Sequence, residues 1–93
     1  MREYETTFVL NPELDDDQIE ENIERIKGVI TKNGGEVIDE DVWGKKSLAY
    51  EINNFRTGHY TVLSFKAEGN VVDELKRNYK IMTNVIRNLV VKK

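Results

Sequence analysis

The sequence predicts an α+β domain in which two split β-α-β units share one four-stranded antiparallel sheet, with both helices on one face. Three observations carry that expectation. Apolar residues alternate with polar ones over Arg2–Leu10 and again over His59–Ala67, as half-buried strands require. Ile19, Ile23, Ile26 and Ile30 recur at helical spacing, which marks the buried stripe of an amphipathic helix. The order strand, helix, strand, strand, helix, strand then uses up the 93 residues, so residues 1–93 form a single domain with core enough to fold without covalent staples.

Each element has its own warrant. In the first strand Tyr4, Thr6, Phe8 and Leu10 face the core and Glu3, Glu5, Thr7 and Val9 face away; Asn11-Pro12-Glu13 ends it, the proline removing a ladder donor. Asp15 with Gln18 forms a capping arrangement for a helix over 15–33, and three successive aspartates suit the positive end of its dipole. Asn33-Gly34-Gly35 supplies a left-handed stop. A long strand over 36–52 is expected to kink or bulge near Gly44. Residues 53–58 read as a polar hairpin loop, followed by a strand over 59–67 with Leu63, Phe65 and Ala67 inward and Tyr60, Val62, Ser64 and Lys66 outward. Asn70 reads as the N-cap of the second helix, with Val72, Leu75, Tyr79 and Met82 as its buried stripe. Val85–Val91, rich in β-branched residues, is the last strand.

Composition narrows the function classes. The apolar fraction is 39% and the charged fraction 33%, which describes a soluble globular chain. Absence of cysteine removes a disulfide framework, a thiolate metal site and a cysteine nucleophile. No leader and no membrane-length apolar run is visible, so the cytoplasm is expected. Charge is polarised: residues 1–44 hold 13 acids and 4 bases, whereas residues 45–93 hold 4 acids and 10 bases. Such a chain can present a basic surface locally despite its net charge of −3.

The run Trp43-Gly44-Lys45-Lys46-Ser47-Leu48-Ala49-Tyr50 is the most informative segment. Two adjacent lysines have no place in a buried strand, because an ammonium stays wet or meets an anion. The segment reads as a sheet edge that resists self-pairing, contacts a partner, or both.

Catalysis finds little support. His59 is the only histidine and stands alone at a strand start, and Asp15-Asp16-Asp17 fan out around a helix start where capping is their natural role. Gly34-Gly35 follows a helix instead of preceding one, so it is no phosphate loop. An acylphosphatase-like activity would need an arginine in the loop after the first strand, and Asn11–Leu14 has none. No enzyme activity and no cofactor or metal is expected. The open sheet face offers two glutamates and one aromatic, a poor platform for stacking single-stranded RNA. Bases gather instead at the rim: Arg2, Lys45, Lys46, Arg56, Arg87, Lys92 and Lys93, with the last strand expected beside the first. They suit the backbone of a folded RNA, and equally suit solubility and protection of a long edge.

The motifs Met1-Arg2-Glu3-Tyr4-Glu5, Asn11-Pro12, Trp43–Tyr50, Gly58-His59-Tyr60 and Asn84–Lys92 occur in the order and spacing of the bacterial small-subunit ribosomal protein six family, which the chain resembles over essentially its whole length. Glu51 departs from the family's usual proline and Asn54 from its frequent lysine, which weakens phosphate contact at the hairpin end. The resemblance implies a ferredoxin-like fold and a non-enzymatic place in the small subunit. It further implies binding to the central domain of small-subunit rRNA jointly with ribosomal protein eighteen. On that implication Arg2, Lys46, Arg87 and Lys92 approach phosphates; alternation alone assigns Asp41, Val42, Tyr60 and Val62 to the protein partner. A competing reading is a self-associating ferredoxin-like regulator that binds a small ligand between sheets and buries Tyr60 and Val62 against a second copy. The Lys45-Lys46 pair opposes symmetric edge pairing, since like charges would meet across the two-fold axis.

Overall fold

Alternation along the first strand decides the architecture. In the computed structural model, which describes residues Met1–Lys93, β1 spans Arg2–Leu10 and α1 Asp16–Lys32, followed by β2 Glu36–Ile52 and β3 Phe55–Ala67. The chain closes with α2, Gly69–Ile81, and β4, Val85–Lys92. The four strands form one sheet in the order β2-β3-β1-β4 with every neighbouring pair antiparallel. Both helices pack on one face, giving the expected ferredoxin-like sandwich. Tyr4, Phe8, Leu10, Leu63, Phe65 and Ala67 meet Ile19, Ile23, Ile26 and Ile30 of α1 and Val71, Leu75 and Tyr79 of α2 in one buried cluster.

Local chemistry fixes the helix ends. Asp15 Oδ1 accepts from the Gln18 amide at 2.8 Å while Gln18 Oε1 accepts from the Asp15 amide at 3.1 Å, the reciprocal capping box expected. Gly34 leaves α1 at φ +90, a region open to glycine. At α2 the structure corrects the sequence reading. Glu68, without a side-chain cap bond, is the N-cap; Asn70 lies inside the helix and donates to the Asn33 carbonyl at the end of α1. Capping between helices has displaced capping within one. The stripe follows the earlier start: Val71, Leu75 and Tyr79 are buried on one i, i+4, i+8 row, and Val72 is half-buried beside it.

The hairpin is tighter than predicted. Asn53 and Asn54 adopt φ 50 and 68 and Ile52 pairs with Phe55, so two residues turn the chain and β3 begins at Phe55 instead of 59. Two positive φ values at the turn match the twist of the flanking strands, and Arg56 therefore sits on strand beside the tip. The kink anticipated near Gly44 is a bulge: its φ is +81, and the β2–β3 register shifts between Val42 and Gly44. Past it the β2–β3 arm bends across the sheet. Tyr50, on one edge strand, hydrogen-bonds Arg87 on the other, although the edge strands of a flat sheet of this order would lie about 14 Å apart.

Candidate interface: the open face of the sheet

No helix covers the second face of the sheet. Its cross-strand rows follow from the register: Glu5 pairs with Ser64 and Val91, Thr7 with Val62 and Leu89, and Val9 with Tyr60 and Arg87. On the β2 side Asp39 pairs with Ser64, Asp41 with Val62 and Gly44 with Tyr60. Trp43, Leu89 and Val91 remain 50%, 57% and 41% exposed, so this face presents apolar surface that the isolated chain does not bury. Val9 is the exception, only 1% exposed. The side chain absent at Gly58 would collide with Val9 Cγ1, so the hairpin arm closes over it.

The bulge makes the central feature. Its extra residue, Trp43, turns its indole onto Tyr60, with ring centroids 6.1 Å apart and planes 14° from parallel. Trp43 Nε1 donates to Asp41 Oδ2 at 2.8 Å, which holds the indole in that pose. Around this stack lies an open groove of about 590 Å³ lined by Asp41, Val42, Trp43, Lys46, Ser47 and Tyr60. Tyr60 also walls a second groove of about 290 Å³ with Thr7, Val9, Arg87, Asn88 and Leu89. The two depressions run side by side across the sheet. Above the second, Arg87 Nη1 donates to the Tyr50 hydroxyl at 2.9 Å and its guanidinium carbon lies 5.5 Å from that ring's centroid.

The residues expected to bind a protein partner come together here. Asp41, Tyr60 and Val62 share the open face; Val42 pairs with Thr61, whose hydroxyl is buried, yet lines the same groove where the bulge re-aims the strand. The bases divide. Arg87 and Lys46 flank Tyr60 on the open face, whereas Lys45 pairs with His59 and Arg2 and Lys92 alternate in phase with core-facing Tyr4. The Lys92 row lies five residues from the Arg87 row along β1, about 17 Å at strand rise. Arg2, Lys45, Lys46, Arg87 and Lys92 form no ion pair with an acid. Arg56 lies 3.8 Å from Glu51, and Lys93 reaches Glu5 at 3.8 Å and Ser64 Oγ at 3.2 Å. Sequence reasoning singled out the Trp43–Tyr50 segment as a possible partner-contacting edge without placing Trp43 or Tyr50 on the open face, and it gave Leu89 and Val91 no place there. An unpaired bulge residue breaks alternation, and in β4 both faces are apolar, so period two cannot choose between them.

Titration behaviour sets the core side apart. His59 Nδ1 is buried without a hydrogen-bond partner. Burial holds the imidazole below its ordinary value, and the Lys45 charge adds to this while Asp16 opposes it. His59 stands half-buried, outside the buried core cluster. No group of three or more histidine, cysteine or carboxylate residues is placed to hold a metal ion, and no helix is long and apolar enough to cross a membrane.

A helix-backed sheet with an uncovered apolar face, two open grooves and unpaired bases at its margin defines a surface-binding protein of the α+β sandwich class. The family model described as ribosomal protein S6 matches residues 3–92. The small ribosomal subunit protein bS6 of Clostridium botulinum (strain Loch Maree / Type A3) is 44% identical over 91 residues, covering 98% of this chain and 97% of its own. The bS6 protein of Clostridium beijerinckii is 46% identical over 91 residues, covering 98% and 96%. The crystal structure of 30S ribosomal protein S6 from Thermotoga maritima matches with a TM-score of 0.95 at 30% identity, covering 99% of this chain and 87% of that one. The chain belongs to the ribosomal protein S6 family, whose members are structural components of the small ribosomal subunit and not enzymes.

Proposed function

We propose that this chain binds the central domain of small-subunit rRNA cooperatively with ribosomal protein eighteen, the protein partner covering the open face while bases at the margin meet RNA phosphates. The observation that carries this reading is the uncovered face itself. Trp43, Leu89 and Val91 stay about half exposed on a sheet whose other side packs its central strands against both helices, and such a surface in a ribosomal family calls for a protein cover. A net charge of −3 makes the chain a weak ligand for RNA alone. A basic partner would supply the missing charge. Arg87 and Lys46 stand beside the grooves and Arg2 and Lys92 at the far end of the sheet in phase with core-facing Tyr4, so the phosphate contacts divide into two groups, one on the open face and one at the sheet's opposite end on the helix side. Arg56 and Lys93, engaged with Glu51 and Glu5, and Lys45, facing His59, are secondary contributors.

A gel-shift with the central-domain RNA fragment at moderate salt, with and without ribosomal protein eighteen, tests the proposal. Tight binding only in the joint mixture, weakened by Arg87→Ala, is the expected result. A shift indifferent to the second protein, together with a stable homodimer in sedimentation, would instead favour the self-associating, ligand-binding regulator.

A further inference from the structure

The groove beside Trp43 is more specific than a general apolar cover requires. An exposed indole normally samples several rotamers; here it is laid flat on Tyr60 and pinned by Asp41. The second ring face remains accessible, since Trp43 is 50% exposed and lines the groove. The carboxylate that pins it pairs with no cation, and Asp39, two residues away on the same face, is also unpaired. An accessible π-face next to an unneutralised carboxylate matches one side chain: a planar cation that stacks and donates in the same plane. The chain makes a related contact internally, where Arg87 sits against Tyr50.

We infer that the groove lined by Asp41, Trp43 and Tyr60 seats an arginine side chain presented by the basic protein partner, the guanidinium lying on the free face of the indole and hydrogen-bonding Asp41. This rests on the reading that a protein covers the open face. Lys46 forms another wall of the groove, so the guanidinium enters from the side bounded by Asp41. A lysine would find the carboxylate but has no plane to lay on the ring. A nucleotide would bring its phosphate against Asp39 and Asp41, which disfavours RNA as the occupant.

Trp43 is the only tryptophan, so its indole N–H resonance reports on this groove alone. The full chain is titrated with three probes: the blocked peptide Gly-Arg-Gly-Arg-Gly, its lysine counterpart, and oligouridylate. The arginine peptide should move the resonance and half-saturate at a concentration about fivefold below the lysine peptide, and Asp41→Asn should remove that preference without changing the melting temperature. Equal response to both peptides, or a larger response to oligouridylate, would overturn the inference. Sedimentation with ribosomal protein eighteen separates this from the broader proposal. A heterodimer that forms although the arginine peptide leaves the indole untouched sinks the arginine seat and keeps the partner.

Discussion

The Tyr79 hydroxyl lies 2.8 Å from Thr6 Oγ1 in the core, joining α2 to β1. Thr6 Oγ1 in turn donates to the Leu89 carbonyl at 3.0 Å, and a hydroxyl has one proton, so Tyr79 is the donor to Thr6. The result is a directed chain from helix to first strand to edge strand. It fixes the backbone of Leu89, whose side chain stands 57% exposed on the opposite face. A buried polar network thus holds the edge strand that carries Leu89 on the open face.

Tyr79→Phe should cost about 1 kcal/mol in urea denaturation, the worth of one buried hydrogen bond. Burial raises the Tyr79 pKa well above its ordinary value, with Thr6 partly opposing this. The unfolded tyrosine therefore loses its proton first, and its contribution to stability is complete below about pH 10 and lost as pH climbs past it. The phenylalanine variant should show a shallower alkaline decline.

His59 predicts the acid limb. Its folded pKa is lowered by burial, so on acidification the unfolded chain takes up the proton first. Its contribution is complete above the unfolded value of about 6.5 and is lost as pH falls from there through the lower folded value. His59→Gln should flatten the slope of melting temperature against pH between about 7 and 5; an unchanged slope would remove His59 from the account.

Gly58 and Val9 should be coupled. A methyl at Gly58 would collide with Val9 Cγ1, which belongs to a stiff β-branched side chain. Gly58→Ala should destabilise by about 1–3 kcal/mol. Adding Val9→Ala, which clears the space, should recover part of that loss; strictly additive effects in the double-mutant cycle would contradict the packing.

The hairpin turn offers a gain. Asn54 holds φ 68, which glycine adopts at no steric cost. Asn54→Gly should leave the melting temperature unchanged or raise it, by up to about 1 kcal/mol of stability, while any alanine at this position lowers it.

Much of this molecule is legible in its sequence because period two and period 3.6 report burial directly. The core faces of β1 and β3, the isoleucine stripe of α1 and the capping box at Asp15 follow from pattern alone. What escapes is set by contacts between distant segments. Asn70 looks like a cap until the Asn33 carbonyl claims its side chain. Tyr50 looks like an ordinary edge residue until the bent arm carries it to Arg87. Trp43 has no partner residue to define its face, since a bulge is where alternation fails. The rim bases were identifiable by type, but their division between two faces and two ends needed the register.

The central claim is that a protein partner covers the open face. Leu89→Asp places a charge on that face at an exposed position, clear of the core, and so should leave the fold intact by circular dichroism. Sedimentation of this variant with ribosomal protein eighteen should show separate species where the unaltered chain gives a heterodimer. A heterodimer of unchanged affinity would mean that the partner docks elsewhere.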